Sequence, residues 1–176
     1  GILVDLQGPK IRIERFAKGK VKLKNGEPFC LDADLGRDEG DNSAVGITYP
    51  DLPKDVKEND VLVLDDGMIM LKVESVEGNR IHTRVMVGGK LSNNKGINLR
   101  GGGLSAAALT DKDREDIKVA AEIDADYLAI SFPRSAGDVK LARTLLREAG
   151  GHGGIVSKIE RAEAMDNIDA IIDASD

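Results

Sequence analysis

The hydrophobic pattern of this chain changes its period once, near residue 100, and that switch constrains the fold more than any other feature. From Ile13 to Leu99 apolar residues tend to recur at every second position. Examples are Val21-Lys22-Leu23-Lys24, the run from Glu27 to Asp32, and Ile81, Thr83 and Val85 between Arg80 and Val87. A period of two places one face of a strand in a core. Turn signals punctuate the stretch: Asn25-Gly26 reads as a hairpin, Gly36 to Asn42 and Pro50 to Pro53 as breaks, and Asp65-Asp66-Gly67 and Gly78-Asn79 as turns. No convincing helical period interrupts them. The expectation for this stretch is a compact antiparallel β domain, a small barrel or sandwich.

Past Gly101-Gly102-Gly103 the period becomes helical. Thr110 with Asp113 reads as a capping box with Asp in place of Glu, and Ile117, Ala120, Ala121 and Asp124 follow at helical spacing. Tyr127 to Phe132 reads as a buried strand ended by Pro133-Arg134. Ala136 to Ala149 reads as an amphipathic helix with Val139, Ala142, Leu145 and Leu146 inward. A glycine-rich loop leads to a strand at Ile155 to Glu160. A helix at Ala162 to Ala174 has Ile168, Ile171 and Ile172 as its apolar face. At the other end, Ile2 to Leu6 is a short apolar strand broken by Gln7-Gly8-Pro9, after which Lys10-Ile11-Arg12-Ile13 restarts. Strands alternating with helices mean a parallel sheet. Three strands cannot close a barrel of eight, so this part is either a piece of an α/β barrel or a small open sheet. The β stretch is inserted after its first strand.

Ile155-Val156-Ser157-Lys158-Ile159-Glu160 carries two charges on an otherwise buried strand. Lys158 and Glu160 are two apart and point to the same side. Buried charges are paired, hydrogen-bonded or metal-bound. The pair is either the catalytic rim of an α/β barrel or a structural ion pair at a strand end. The net charge of -6 and pI near 5.1 argue against nucleic acid as the main partner, while leaving room for a local basic pocket that takes phosphates. The single Cys30 forbids an internal disulfide, suggests a reducing compartment, and fits ordinary packing. His82 and His152 are expected to face solvent. No apolar run is long enough to cross a bilayer, and a signal peptide is not expected. The chain opens on Gly1-Ile2-Leu3-Val4 without Met and stops at Ala174-Ser175-Asp176, as expected of an internal piece of a longer polypeptide.

Five segments taken together are specific where each alone is weak. They are Val4-Asp5-Leu6-Gln7-Gly8-Pro9-Lys10-Ile11-Arg12, Asp65-Asp66-Gly67, Ser92-Asn93-Asn94-Lys95-Gly96-Ile97-Asn98, Ser131-Phe132 and Ser157-Lys158-Ile159-Glu160. In order and spacing they resemble the pyruvate kinase family, bacterial type. The resemblance implies a fold of α/β plus an all-β insertion: a partial TIM (β/α)8 barrel interrupted after its third strand by a small antiparallel β-barrel lid. Residues 1–12 would be barrel strand three, 13–100 the lid, and 101–176 the barrel continuing to about strand six. It implies transfer of a phosphoryl group from phosphoenolpyruvate to ADP, giving pyruvate and ATP, in a cytoplasmic homotetramer with no membrane or nucleic-acid partner.

Roles follow by the same resemblance. Lys158 matches the lysine that stabilises the phosphoryl group and the enolate, and Glu160 matches a ligand of Mg²⁺ or Mn²⁺, for which a hard oxygen is suitable. Arg12 and Lys95 match residues that reach nucleotide phosphates, with lid closure carrying Lys95 and Asp66 over the nucleotide. Asp5, and Leu6 through its carbonyl, match the monovalent-cation site. Ser131 and Phe132 line the same region. Lys10 stands where potassium-activated members carry Glu; a fixed ammonium there acts as a potassium surrogate, so K⁺ is not required. The alternatives stay open: Asp65-Asp66-Gly67 as a plain turn, Lys10 as a solvated surface lysine. The chain alone is expected to be inactive. A further alternative is a non-catalytic nucleotide- or metal-binding or regulatory module that retains a pyruvate kinase-like lid.

Overall fold

The computed structural model describes all residues, Gly1–Asp176. In chain order the elements are β1 (Leu3–Asp5), β2 (Lys20–Leu23), β3 (Pro28–Asp32), β4 (Ala44–Gly46), α1 (Leu52–Asp55), β5 (Val61–Leu64), β6 (Ile69–Glu77), β7 (Arg80–Val87), β8 (Gly89–Ser92), β9 (Ile97–Leu99), α2 (Asp111–Glu122), β10 (Tyr127–Ser131), α3 (Ala136–Glu148), β11 (Gly154–Lys158), α4 (Ala162–Asp166) and α5 (Ile168–Ala174). They divide into an α/β unit, Gly1–Pro9 with Ala106–Asp176, and a β unit, Lys10–Ser105.

In the α/β unit β1, β10 and β11 form a parallel sheet in the order β1-β10-β11. One face packs against the helices. Leu128 and Ile130 of β10 and Ile155 of β11 join Ile117, Ala120, Val139, Ala142, Leu146, Ala164 and Ile171 in one core. The Thr110–Asp113 capping box forms as expected. It also does more: the fully buried Asp113 accepts from Gly8 N–H at 3.0 Å and from Thr110 N–H at 2.8 Å. One carboxylate therefore ties the turn after β1 to the start of α2.

Two expectations need correction here. The last helix is two, broken at Asn167. Its buried residues are Ala164 and Ile171, while Ile172 is 62% exposed, because Ile172 lies 100° around from Ile171. Asp124 is not a helical core position but an exposed residue beyond α2 in left-handed conformation (φ 52°). The sheet holds three strands. Ser175 and Asp176 only begin to run beside β11, with Asp176 N–H donating to Ile155 O at 3.0 Å.

In the β unit a six-stranded sheet runs β4-β3-β7-β6-β5-β9, and β2 pairs with β8. Inward residues such as Phe29, Leu31, Leu62, Leu64, Leu71, Ile81 and Val85 are buried, and so is Thr83, whose hydroxyl donates to Phe29 O at 2.7 Å. The segment Ile11–Glu14 closes the sheet. It meets β9 through Ile97 N–H to Ile11 O (2.9 Å), and it meets the β4 edge through Glu14 N–H to Gly46 O (2.8 Å) and Thr48 N–H to Arg12 O (2.9 Å). Both sheet edges end on one segment, so the unit is a small barrel.

The pairing differs from a plain antiparallel meander. β3 and β4 are parallel, and Leu52–Asp55 makes a single helical turn at the expected Pro50–Pro53 break. Asn25-Gly26 is a corner and not a hairpin, since β2 pairs with β8 and β3 with β7. Glu27 N–H to Lys24 O at 3.2 Å closes the turn, but the Asn25 side chain accepts from Gly88 N–H at 2.7 Å and Gly26 N–H donates to Val85 O at 2.8 Å, so the turn is tied to β7 and its exit. Gly78-Asn79 does join β6 and β7 as a hairpin.

Removing the Asp113 carboxylate leaves the buried N–H of Gly8 and the part-buried N–H of Thr110 without their acceptor. Asp113→Ala is expected to destabilise the folded protein by about 3 kcal/mol, with Asp113→Asn losing less. Denaturant unfolding, followed with amide exchange at Gly8 and in the first turn of α2, measures it.

Candidate active site

The parallel strands of the α/β unit bring their C-terminal ends together. In register Asp5 is level with Ala129 and Val156, and Ser131 with Lys158. Side chains alternate across a strand, so Asp5 and Lys158 lie on the face opposite the one that Leu128, Ile130 and Ile155 turn to the helices. Lys158 Nζ donates to Asp5 Oδ1 at 2.8 Å and Oδ2 at 3.1 Å, and Glu160 Oε1 lies 3.9 Å away. The three side chains are 32%, 54% and 39% exposed in that order. The sequence pairs Lys158 with Glu160. The closer partner, Asp5, is 153 residues distant in the chain, and no local signal carries it.

The surrounding backbone is held tightly. Leu6 N–H donates to Ala129 O at 2.9 Å, and Leu6 O accepts from the buried Ser131 hydroxyl at 2.7 Å. Gly8 has φ +63°, and a Cβ there would come 2.9 Å from Ser131 Cβ and 3.0 Å from Phe132 Cδ2, so only glycine fits. Phe132 has φ 61°. A bulky residue in the left-handed region costs on the order of 1–3 kcal/mol and is found where a site over-determines the backbone. Ile159, read from the sequence as buried, is 40% exposed, because β11 ends at Lys158.

The remaining expected residues lie in the β unit. Arg12 Nη1 donates to Asn94 O at 2.7 Å, and Arg12 bridges Gly96. Lys95 Nζ is 2.8 Å from Asp65 Oδ1. Asp65 and Asp66 take left-handed φ of 51° and 52°, followed by Gly67 at 96°. Asp66 is exposed at this turn, and Lys10 is exposed with its Cε 3.9 Å from where a Gly96 Cβ would stand. Arg12 and Lys95 thus stem from neighbouring backbone segments of one unit. Asp5, Lys158 and Glu160 form a separate group in the other.

A family model described as pyruvate kinase, barrel domain, matches residues 1–176. The chain belongs to the pyruvate kinase family. It is 57% identical to pyruvate kinase II of Salmonella typhimurium over 99% of this chain and 37% of that protein. Identity is 54% with pyruvate kinase of Haemophilus influenzae, over 99% of this chain and 37% of the relative. With that of Corynebacterium glutamicum it is 41%, over 100% and 37%. The chain spans about 37% of the length of these curated relatives. Its pairing of an α/β unit with a β barrel fits the family's architecture.

Pyruvate kinases as a family imply a divalent metal, and the donors present suit one of a particular kind. No group of three or more His, Cys, Asp or Glu gathers to hold an ion. Glu160 offers a half-exposed hard oxygen at a strand end. A single carboxylate fits Mg²⁺, which keeps waters and takes substrate oxygens, better than an ion caged by protein alone. No helix is long and apolar enough to cross a membrane.

Beyond Phe132 the loop is fixed by Asp138, which accepts from Arg134 N–H at 2.8 Å and from its guanidinium. Burial pushes the Asp138 carboxyl up, but the Arg134 side-chain and backbone hydrogen bonds outweigh it and hold the group below the usual carboxylate range. A carboxylate depressed in the folded state stabilises above its unfolded pKa, and that contribution is lost as pH falls through the folded value. The stability gap between the parent and Asp138→Asn is therefore expected to be widest at neutral pH. It should narrow below about pH 4, as read from denaturation midpoints across pH.

Proposed function

We propose that the protein carrying this chain transfers a phosphoryl group from phosphoenolpyruvate to ADP, giving pyruvate and ATP. One observation carries the reading: the Lys158 ammonium projects from the C-terminal end of a parallel strand, flanked by Asp5 at 2.8 Å and Glu160 at 3.9 Å. As the new bond forms between phosphorus and the terminal ADP oxygen, the bond to the enol oxygen breaks, and the enolate takes up a proton. Negative charge passes across the phosphoryl oxygens to the enolate, and Lys158 is the fixed cation facing it. Glu160 holds Mg²⁺ or Mn²⁺, which when bound supplies charge neutralisation to the substrate oxygens. Arg12, Lys95 and Asp66 serve the nucleotide phosphates. Asp5 and the Leu6 carbonyl serve the monovalent-cation site.

On this reading residues 1–12 and 101–176 are part of a (β/α)8 barrel interrupted after its third strand, and residues 13–100 are its lid. Three parallel strands do not close a barrel of eight, so the 176 residues alone are expected to be inactive. The full protein is a cytoplasmic homotetramer. Lys10 replaces the charge of K⁺, which is then not required.

In the full-length protein Lys158→Met is expected to lower kcat by about 10²- to 10³-fold while phosphoenolpyruvate still binds. Glu160→Gln is expected to raise the Mg²⁺ concentration for half-maximal activity about tenfold. Steady-state assays check both, and a Lys158→Met enzyme within about threefold of the parent would sink the assignment. Activity in tetramethylammonium buffer should change little on adding KCl; activity that appears only with KCl overturns the role of Lys10.

A further inference from the structure

The Lys95 ammonium is not free to sweep the solvent around it. It is held by Asp65, 2.8 Å away and on a side chain only 22% exposed. Asp65 is itself tied to the same segment, its N–H donating to Gly96 O at 3.2 Å. It takes that position with a left-handed backbone, and Asp66 after it does the same. Asp is one of the few non-glycine residues that visits this region readily, because its short polar side chain hydrogen-bonds locally.

We propose that Asp65 is a positioning residue: it fixes the Lys95 ammonium in the place where it meets a nucleotide diphosphate. A lysine carries a compact charge on a flexible stem and loses rotamer freedom when it grips a phosphate. A partner that restrains it beforehand spares that loss at the moment of binding. Asp65 occupies one direction around the ammonium and leaves donors for phosphate oxygens. This inference rests on the proposed role of Lys95 at the nucleotide.

Asp65→Asn isolates the effect, because Asn has the same shape and tolerates the left-handed backbone while lacking the charge. In the full-length protein Asp65→Asn is expected to raise KM for ADP about fivefold, leaving kcat and the KM for phosphoenolpyruvate unchanged. In a Lys95→Met background the same substitution should have no effect on KM for ADP. A rise of equal size in both backgrounds would mean a structural role for Asp65 and overturn the proposal. So would a fall in KM for ADP, which would make Asp65 a competitor of the phosphate. If Lys95→Met alone leaves KM for ADP unchanged, the nucleotide role of Lys95 fails and the Asp65 proposal falls with it. If Lys95→Met raises it and Asp65→Asn does not, only the Asp65 proposal fails.

Discussion

Much of the α/β unit depends on one buried carboxylate. Asp113 caps α2 in the ordinary way, yet one of its oxygens is given to Gly8, 105 residues earlier. The turn after β1 presents a buried backbone donor at Gly8 and the start of α2 a part-buried one at Thr110. A single side chain with two oxygens answers both. Gly8 in turn permits Ser131 and Phe132 to approach within contact distance. The ends of β1 and β10 are therefore set by a chain of close contacts, from α2 through Asp113 and Gly8 to Ser131, whose hydroxyl returns to the Leu6 carbonyl. The charged group of Asp5, Lys158 and Glu160 stands on this frame.

That charged group is poor as a stabilising device. Its members are one-third to one-half exposed, and exposed ion pairs contribute from nothing to about 1 kcal/mol. On the proposed reading the same exposure has a use: an ammonium already outside the core needs no large desolvation to meet a phosphoryl group, and a cation kept in one place at a strand end would not have to reorganise as charge moves across the substrate.

What was legible in the sequence was what local rules govern. The Thr110–Asp113 box, the Gly78-Asn79 hairpin, the inward row of Ile81, Thr83 and Val85, and the strand that carries Lys158 all follow from spacing. Asn25-Gly26 misled, because its bonding partners are on β7 and at Gly88, far along the chain. Ile172 misled because two isoleucines in succession cannot both face one core from a helix. The site showed the same division. Its residue types were readable from the motifs, but the closest partner of Lys158, and the hold of Asp65 on Lys95, depend on strands that only folding brings side by side.

The closure of the β barrel by Ile11–Glu14 has a consequence for the unit that hosts it. The segment that enters the barrel is hydrogen-bonded to the one that leaves it, through Ile13 N–H to Lys95 O and Ile97 N–H to Ile11 O, both at 2.9 Å. Once folded, the insertion presents its two ends as neighbours. To the α/β unit it then behaves as a short clamped loop and not as a long floppy one. The loop-closure entropy of joining β1 to α2 is borne by the barrel's own folding. A β domain built this way can lengthen or change its sequence on its far side without loosening the sheet into which it is spliced.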